Sequence, residues 1–281
     1  MNLQASGLEP SVDRRQGRGR RAPFALVSGG KGGVGKSTLV ANLAVELSSR
    51  GLSVLAVDLD LALANLQVLL RLEPAHSLED VFSGRVDVRA AIVRANDGLD
   101  VLTAGSGAHD LARPDSARRN QLLGHIDALR DEYDLILGDT AAGIGPDVLG
   151  FATAADHLLI VTTPDPAALT DAYGLLKAYD TVSRDQGLEL STPELVVNQA
   201  RDPLDADRVA KRLTDVSQRF LSRRPRAIGW VPRHKDVTGA CAAQEPFVKS
   251  HPEGLAARSI ARLADRYQRL VETRAQVGGL R

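Results

Sequence analysis

Cysteine is almost absent from this chain of 281 residues, which contains a single one, Cys241. One cysteine excludes both a scaffold held by internal disulfides and a metal site built from clustered cysteines. Long apolar runs are also missing, since no stretch reaches the roughly 18 residues of a membrane-spanning helix. The first residues are polar and then rich in arginine, unlike a secretory signal. These absences predict a cytoplasmic protein.

The composition is that of a globular protein, with 43% hydrophobic and 25% charged residues. The net charge of zero hides an asymmetry, because residues 1–200 carry a net charge of −8 and residues 201–281 carry +8. A basic end of this kind is either a solvated arginine-rich surface or a contact for phosphates and acidic lipid headgroups. The sequence leaves both interpretations open.

The organisation of the chain follows from its apolar pattern. Residues 1–21 show no apolar periodicity, so we expect a flexible tail there. Over residues 22–281, short apolar runs alternate with amphipathic stretches, and we find no linker and no internal repeat. The predicted strands are Phe24–Ser28, Val54–Asp58, Leu99–Thr103, Leu135–Asp139, His157–Thr163, Leu195–Asn198 and Ala227–Val231, and the predicted helices cover 36–50, 118–131, 167–183 and 204–221. This alternation predicts one α/β domain whose central sheet is mostly parallel, with helices on both faces.

A glycine-rich loop follows the first predicted strand and leads into the first predicted helix. Residues Gly30–Ser37 read GKGGVGKS, the G-x-x-x-x-G-K-S/T pattern of a phosphate-binding loop in its required context. The glycines let backbone N–H groups surround phosphate oxygens, and Lys36 and Ser37 are expected at the terminal phosphates and at Mg²⁺. The residues expected to bind nucleotide here are Gly30, Lys31, Gly32, Gly33, Val34, Gly35, Lys36, Ser37 and Thr38.

Acidic residues end two other predicted strands. Asp58 and Asp60 follow the second strand, on one face of an extended chain. Asp139 ends an apolar strand of the Walker B type, where the alternative is a carboxylate that caps the next turn. Beside a phosphate loop, such carboxylates hold Mg²⁺ or orient the water that attacks a phosphoryl group.

The loop resembles the deviant phosphate loop of the MinD/ParA ATPases, which carries a second lysine at the position of Lys31. The resemblance implies a P-loop NTPase fold of the deviant Walker A (SIMIBI) class, with ATP, ADP and Mg²⁺ as ligands. It also implies an ATP-dependent homodimer in which Lys31 reaches the partner's nucleotide, as an arginine finger does. In that pattern Lys31, Lys36 and Asp60 are catalytic, and Asp60 acts on the attacking water.

The remaining site residues are also implied by this resemblance. The metal site would consist of Ser37 and Asp139, with Asp58 assisting. Asn65 falls where the family has a switch asparagine near the nucleotide. Asn198 matches an asparagine that reads the edge of adenine, and the alternative for Asn198 is a turn residue after a strand.

One segment resembles a single branch of the family, the flagellar-number regulators called FlhG or FleN. Residues 162–177 read TTPDPAALTDAYGLLK, with Asp165 where the branch usually has Glu. The match implies that Asp165 contacts nucleotide across the dimer. Asp171 falls where the family acid pairs with the deviant lysine, so we expect a Lys31–Asp171 ion pair in the resting state.

The resemblance to this branch implies a molecular switch. An ATP-bound dimer would regulate flagellar number or placement, and hydrolysis to ADP and phosphate would reset it. The implied partners are a FlhF-type signal-recognition GTPase and a flagellar transcription activator, and residues 3–9, around Gln4, are a degenerate match to the activator motif of the branch. Direct binding of nucleic acid is not expected. The alternatives are a ParA-like partition ATPase, a MinD-like cell-division positioning ATPase, and a weakly hydrolysing nucleotide-dependent scaffold.

The C-terminal residues 255–273 have apolar side chains at helical spacing, with arginines elsewhere on the helix. Such an amphipathic helix either packs on the core with a basic outer face or lies on an anionic membrane surface. The second alternative would place the protein at the inner face of the cell membrane or at the cell pole.

Overall fold

The computed structural model describes residues 21–61, 63–103, 116–221 and 223–278. Residues 1–20 of the predicted tail, with its motif residue Gln4, therefore lie outside the described residues. The strands are β1 (Phe24–Ser28), β2 (Val54–Leu59), β3 (Ile92–Asn96), β4 (Leu99–Leu102), β5 (Leu135–Thr140), β6 (His157–Thr162), β7 (Glu194–Ala200) and β8 (Arg226–Pro232). They form one sheet in the order β3-β4-β2-β5-β1-β6-β7-β8. Only the β3–β4 pairing among them is antiparallel, which confirms the predicted α/β fold.

Helices cover both faces of this sheet. They are α1 (Lys36–Ser49), α2 (Leu66–Leu69), α3 (Leu78–Phe82), α4 (Ser116–Leu129), α5 (Pro146–Ala154), α6 (Pro166–Asp185), α7 (Pro203–Leu221), α8 (Lys235–Ala242), α9 (Phe247–Ser250) and α10 (Leu255–Gly278), with a 3-10 turn at Val88–Ala91. Neighbouring residues of β1 point to opposite faces, so Leu26 joins a core with α4 to α7, and Val27 joins a core with α1 and α10. The fully buried strands explain the continuous apolar runs in the sequence.

Strand β3 is absent from the predicted strands. It pairs with β4 through a two-residue turn, Asp97 and Gly98, in which Gly98 has a φ of 88°. An Asp-Gly pair between two short runs is a strong hairpin signal, because the turn needs a left-handed backbone. The signal was present in the sequence, but β3 is only half-buried and therefore lacks the apolar run that marks the other strands.

The apolar face of α10 packs on the core. Ile260, Leu263 and Tyr267 are at most 1% exposed and lie in the same cluster as the buried residues of α1. On the rim of this contact, Arg50 of α1 forms a 2.7 Å ion pair with Asp265. These side chains thus follow the first alternative, packing on the core, and contact of residues 255–273 with a membrane stays a prediction.

Among the described helices, none has the length and apolar character needed to cross a membrane.

The close contact of β5 with its neighbours predicts that alanine at Gly138 destabilises the protein, whereas alanine at the open position Gly124 does not. At Gly138, a Cβ atom would lie 2.7 Å from Leu26 Cδ1 and 2.9 Å from Leu59 Cδ1. We expect Gly138→Ala to lower the free energy of unfolding by about 1–3 kcal/mol through overpacking, measured by urea denaturation. The control is Gly124→Ala on α4, where a Cβ meets nothing within 4 Å and a gain of up to about 1 kcal/mol is expected. Equal stability of both variants would contradict the contact.

Candidate functional site

A cleft of about 820 Å³ opens at the carboxyl edge of the parallel strands. Topology places it there, because the loops that follow parallel strands converge on the same edge of the sheet. The lining includes Gly32, Gly33, Gly35, Lys36, Ser37 and Thr38 from the glycine-rich loop, Asp60, Asn65, Thr140 and Asn198 from the ends of other strands, and Pro232, Arg233, His234, Thr238 and Cys241 from the segment after β8. The structure therefore brings most of the predicted binding residues into one cavity.

The glycine-rich loop has a conformation that side chains would disturb. Gly33 and Gly35 have φ values of 77° and 90°, in the left-handed region that favours glycine. Gly30 lies against the backbone of α6, where an added Cβ would sit 2.1 Å from the Asp171 carbonyl oxygen. The loop then enters α1 at Lys36, so residues of the loop and of the start of a helix line the cleft together.

Lys36 and Asp139 form the buried polar centre of the site. Lys36 is 8% exposed, and burial lowers the pKa of its ammonium group, while the charges of Asp139 and Asp60 raise it. Burial, reinforced by the Asp58 charge, raises the pKa of Asp139 to about 8, against the lowering effect of Ser37 and Lys36. Neither carboxylate oxygen of Asp139 has a partner at full hydrogen-bonding geometry among the described residues, although the Ser37 side chain lies close enough to lower its pKa.

Asp58 holds the chain that follows β2. Its Oδ2 accepts N–H donors from Asn65 at 2.8 Å and Leu66 at 2.9 Å, and its Oδ1 accepts the N–H of Asp60 at 3.1 Å. Burial nevertheless raises the pKa of Asp58 to about 7, because the side chain is completely enclosed. Both oxygens thus anchor the chain after β2, and the predicted assistance of Asp58 at a Mg²⁺ site stays a prediction.

Asp60 and Asn65 lie at the mouth of the cleft. Strand β2 ends at Leu59, so Asp60 begins a turn. This differs from the prediction, which placed Asp58 and Asp60 on one face of an extended chain. The Asp60 carboxylate accepts the N–H of Leu63 at 3.1 Å, and the Asn65 amide donates to the Leu63 carbonyl at 2.7 Å. Both polar side chains are thus fixed within one turn that faces the cavity.

The ion pair of Lys31 differs from the prediction. Its Nζ lies 2.6 Å from Asp165 Oδ2, whereas Asp171 only adds a more distant charge. The hydrogen bond to Asp165 and its charge raise the pKa of Lys31, and Lys31 lowers the pKa of Asp165 in return. Asp165 caps α6 by accepting the N–H of Ala167 at 3.3 Å, which holds its carboxylate beside the loop. The expected Lys31–Asp171 pair is therefore replaced by Lys31–Asp165.

Asn198 lies at the cleft, but its amide is already engaged. Its Nδ2 donates to the Val34 carbonyl at 2.8 Å, and its Oδ1 accepts the N–H of Gln199 at 2.9 Å. The amide of Gln199 donates to the Gly33 carbonyl at 3.2 Å. The role of Asn198 at the adenine edge remains a prediction, and its contact with the loop is a finding that the sequence did not indicate.

Sequence analysis missed Cys241, which lines the cleft, and a long-range bond between two residues outside the lining. Thr38 Oγ1 lies 3.8 Å from Cys241 Sγ on α8, and the Arg71 guanidinium donates to the Ala243 carbonyl at 2.5 Å. Arg71 follows α2 and Ala243 follows α8, so this bond joins two elements about 170 positions apart in the chain. No local sequence signal marks such a contact.

The oxygen donors at the buried centre fit a hard divalent cation. The two unpartnered oxygens of Asp139 lie in the same centre as the Ser37 hydroxyl, and Mg²⁺ prefers such ligands together with water and phosphate oxygens. Within the described ranges, no group of three or more His, Cys, Asp or Glu side chains is placed to hold a metal alone. The residues therefore suit a cation that is shared with a bound phosphate.

Comparisons with known proteins agree with this geometry. The family profile of the AAA domain matches residues 25–191. The antiactivator FleN of Pseudomonas aeruginosa is 34% identical over 242 residues, 85% of each chain, and the flagellum site-determining protein YlxH of Helicobacter pylori is 30% identical over 227 residues, 79% of this chain and 75% of YlxH. The solved structure of the septum site-determining protein MinD of Pyrococcus horikoshii, complexed with Mg-ADP, is similar with a TM-score of 0.72 and 25% identity, covering 90% of this chain and 98% of that one.

The raised pKa of Asp139 predicts that the protein, free of nucleotide and metal, loses stability as the pH rises. In the unfolded chain this carboxyl releases its proton near pH 4, but in the folded protein it keeps the proton to about pH 8. Between these values the folded state binds more protons, so stability falls with rising pH.

In EDTA, we therefore expect Asp139→Asn to show a smaller drop in melting temperature than wild type between about pH 5 and pH 8.5. Part of the drop should remain, because the pKa of Asp58 is also raised. Parallel melting curves at every pH would contradict a buried, protonated Asp139.

Proposed function

Because the chain belongs to the MinD/ParA family of ATPases, we propose that it is a nucleotide-operated switch that regulates flagellar number or placement. In this proposal the protein dimerises with ATP, hydrolyses it to ADP and phosphate, and then separates. One observation carries the proposal: a phosphate loop with a buried Lys36 also has a second lysine, Lys31, which is exposed and directly precedes Gly32 of the cleft lining.

The first task of the site is to bind a triphosphate. The left-handed glycines turn loop N–H groups toward the cleft, and Lys36 supplies a positive charge inside it. Asp139 and Ser37 are the residues that would hold Mg²⁺, which neutralises charge on the β- and γ-phosphates when bound. The lowered pKa of Lys36 follows from burial, and a nearby phosphate would favour its charged form.

The second task is to orient water. Asp60 lies at the cleft beyond β2, and its turn is anchored to the buried Asp58 through the Asp60 N–H. A carboxylate so fixed can accept a hydrogen bond from a water that approaches the terminal phosphate. The scaffold alternative lacks this step, so the role of Asp60 separates the two functions.

The third task is to respond to a second copy. Lys31 is 42% exposed and held by Asp165, which is 46% exposed, so this surface ion pair is open to exchange. In an ATP-bound dimer, Lys31 would leave Asp165 for the partner's γ-phosphate, a stronger anionic acceptor. Asp165 would then be free to contact nucleotide across the dimer, as the sequence match implies.

The flagellar role is supported by the relatives. Two of them bear the names antiactivator FleN and flagellum site-determining protein YlxH, and both match this chain over most of its length. We therefore assign the switch to flagella rather than to plasmid partition. A FlhF-type GTPase and a flagellar transcription activator are the partners proposed with it, and the cytoplasm, the inner membrane face or the pole is its proposed location.

The switch predicts opposite effects of two substitutions at the cleft. We expect Asp60→Ala to hydrolyse ATP about 100-fold more slowly or worse, because the water loses its orienting carboxylate, yet to form a dimer with MgATP and a monomer with MgADP. Light scattering after size exclusion measures the mass.

Lys31→Ala is the matched control, and we expect it to stay monomeric with either nucleotide. Equally fast hydrolysis by wild type and Asp60→Ala would contradict the catalytic role of Asp60, and the absence of hydrolysis in both would favour the scaffold.

The flagellar assignment predicts a change in flagella per cell, counted by electron microscopy. Deleting the gene in the cell that encodes this chain should change the number or the position of flagella. A wild-type copy should restore the pattern and Lys36→Ala should not, because it loses the phosphate contact. Unchanged flagella together with increased plasmid or chromosome loss would instead indicate the partition alternative.

A further inference from the structure

Two consecutive side-chain amides at the end of β7 donate to two consecutive carbonyls of the phosphate loop. Asn198 bonds to the carbonyl of Val34, and Gln199 bonds to the carbonyl of Gly33. In a regular strand, neighbouring side chains point to opposite faces and cannot both reach one loop. The pair does so because the backbone turns at Gln199, whose φ is 57°, within a shift of the β7–β8 register between Val197 and Ala200.

The left-handed backbone at Gln199 is unfavourable for a residue with a side chain. Among the described residues other than glycine, three have a positive φ: Arg71, Gln199 and Gln244. Gln199 lines the cleft, whereas Arg71 and Gln244 lie beside the bond that joins the Arg71 guanidinium to the Ala243 carbonyl. A strained backbone persists where surrounding contacts maintain it, and at Gln199 these contacts include the bonds to Asn198 and to the Gly33 carbonyl.

Peptide geometry gives the contact of Gln199 a consequence inside the loop. In a planar trans peptide, the C=O and the N–H point in opposite directions. Holding the Gly33 carbonyl toward Gln199 therefore turns the N–H of Val34 away from Gln199, on the opposite side of that peptide. The bond from Asn198 to the Val34 carbonyl fixes the N–H of Gly35 in the same way. Backbone N–H groups of such a loop are its phosphate ligands.

We propose that Gln199 is a positioning residue of the phosphate site, which holds the Gly33–Val34 peptide with its N–H ready for a phosphate oxygen. This inference rests on the proposed function, because it requires nucleotide to bind at the loop. Because Gln199 acts through the loop backbone, it affects the binding of the phosphates, and the effect is the same whichever base the nucleotide carries. Asn198 makes the equivalent contact one peptide later. Because Asn198 is also predicted to contact adenine, a substitution there would change phosphate binding and base binding together.

The test compares variants that separate the amide from the backbone strain. Gln199→Met keeps the length and the Cβ but removes the donor. We expect MgADP to bind about three- to tenfold more weakly, the range for one lost hydrogen bond, measured by titration calorimetry. MgIDP, which shares the diphosphate and differs at the base edge, should weaken by the same factor. Gln199→Gly also lacks the donor but relieves the left-handed strain, so it should bind as weakly as Gln199→Met while melting at a higher temperature.

The outcomes distinguish this inference from the proposed function. If Gln199→Met binds MgADP like wild type while Lys36→Ala loses binding, the positioning role is overturned and the phosphate site stands. If Lys36→Ala also binds like wild type, the proposed function fails and the inference fails with it. Two further results would overturn the positioning role. If Gln199→Met weakens the binding of MgADP but not of MgIDP, Gln199 contacts the base. If Gln199→Met lowers the melting temperature of the free protein and leaves nucleotide affinity unchanged, the contact only stabilises the fold.

Discussion

The site depends on one constraint, the outward orientation of the carbonyls in the phosphate loop. A loop whose N–H groups face a cavity must direct its C=O groups elsewhere, and each buried carbonyl then needs a partner. Here the partners come from neighbouring segments at the carboxyl edge of the sheet. Gly29 accepts the N–H of Gly143, Gly33 and Val34 accept amides from the end of β7, and Gly30 packs on the backbone of α6. The segments after β5, β6 and β7 are thereby connected to the loop.

The charges of the site follow from the same enclosure. Asp58 and Asp139 lie side by side on neighbouring strands, in register and completely buried, close to a lysine that burial also penalises. Without a ligand, burial favours the protonated form of both carboxyl groups over the charged form, as their raised pKa values indicate. A triphosphate with its cation would bring the charges that the centre lacks, so protonation and ligand binding at Asp139 compete for the same oxygens.

Much of this arrangement could be predicted from the sequence, because its signals are local. Buried parallel strands produce unbroken apolar runs, and GKGGVGKS between a strand and a helix identifies the loop with Lys36 and Ser37. The missing parts depend on contacts between distant segments. Lys31 pairs with Asp165 rather than Asp171 because Asp165 caps α6 beside the loop, and Gln199 reaches Gly33 only through a backbone turn that its residue type does not reveal. The apolar stripe of α10 was ambiguous, because lipid and a protein core favour the same spacing.

Helix α2 has only four residues, and a single helical turn is not stable by itself. Its first N–H is held by the buried Asp58, and the residue two positions past its end, Arg71, is tied to the Ala243 carbonyl. The turn is therefore held at both ends, by the central sheet and by the segment after β8, and Leu66 is also fully buried in the core with α1. An amide hydrogen in this turn would exchange with solvent at a rate set by those contacts, so its exchange would report on whether they are formed.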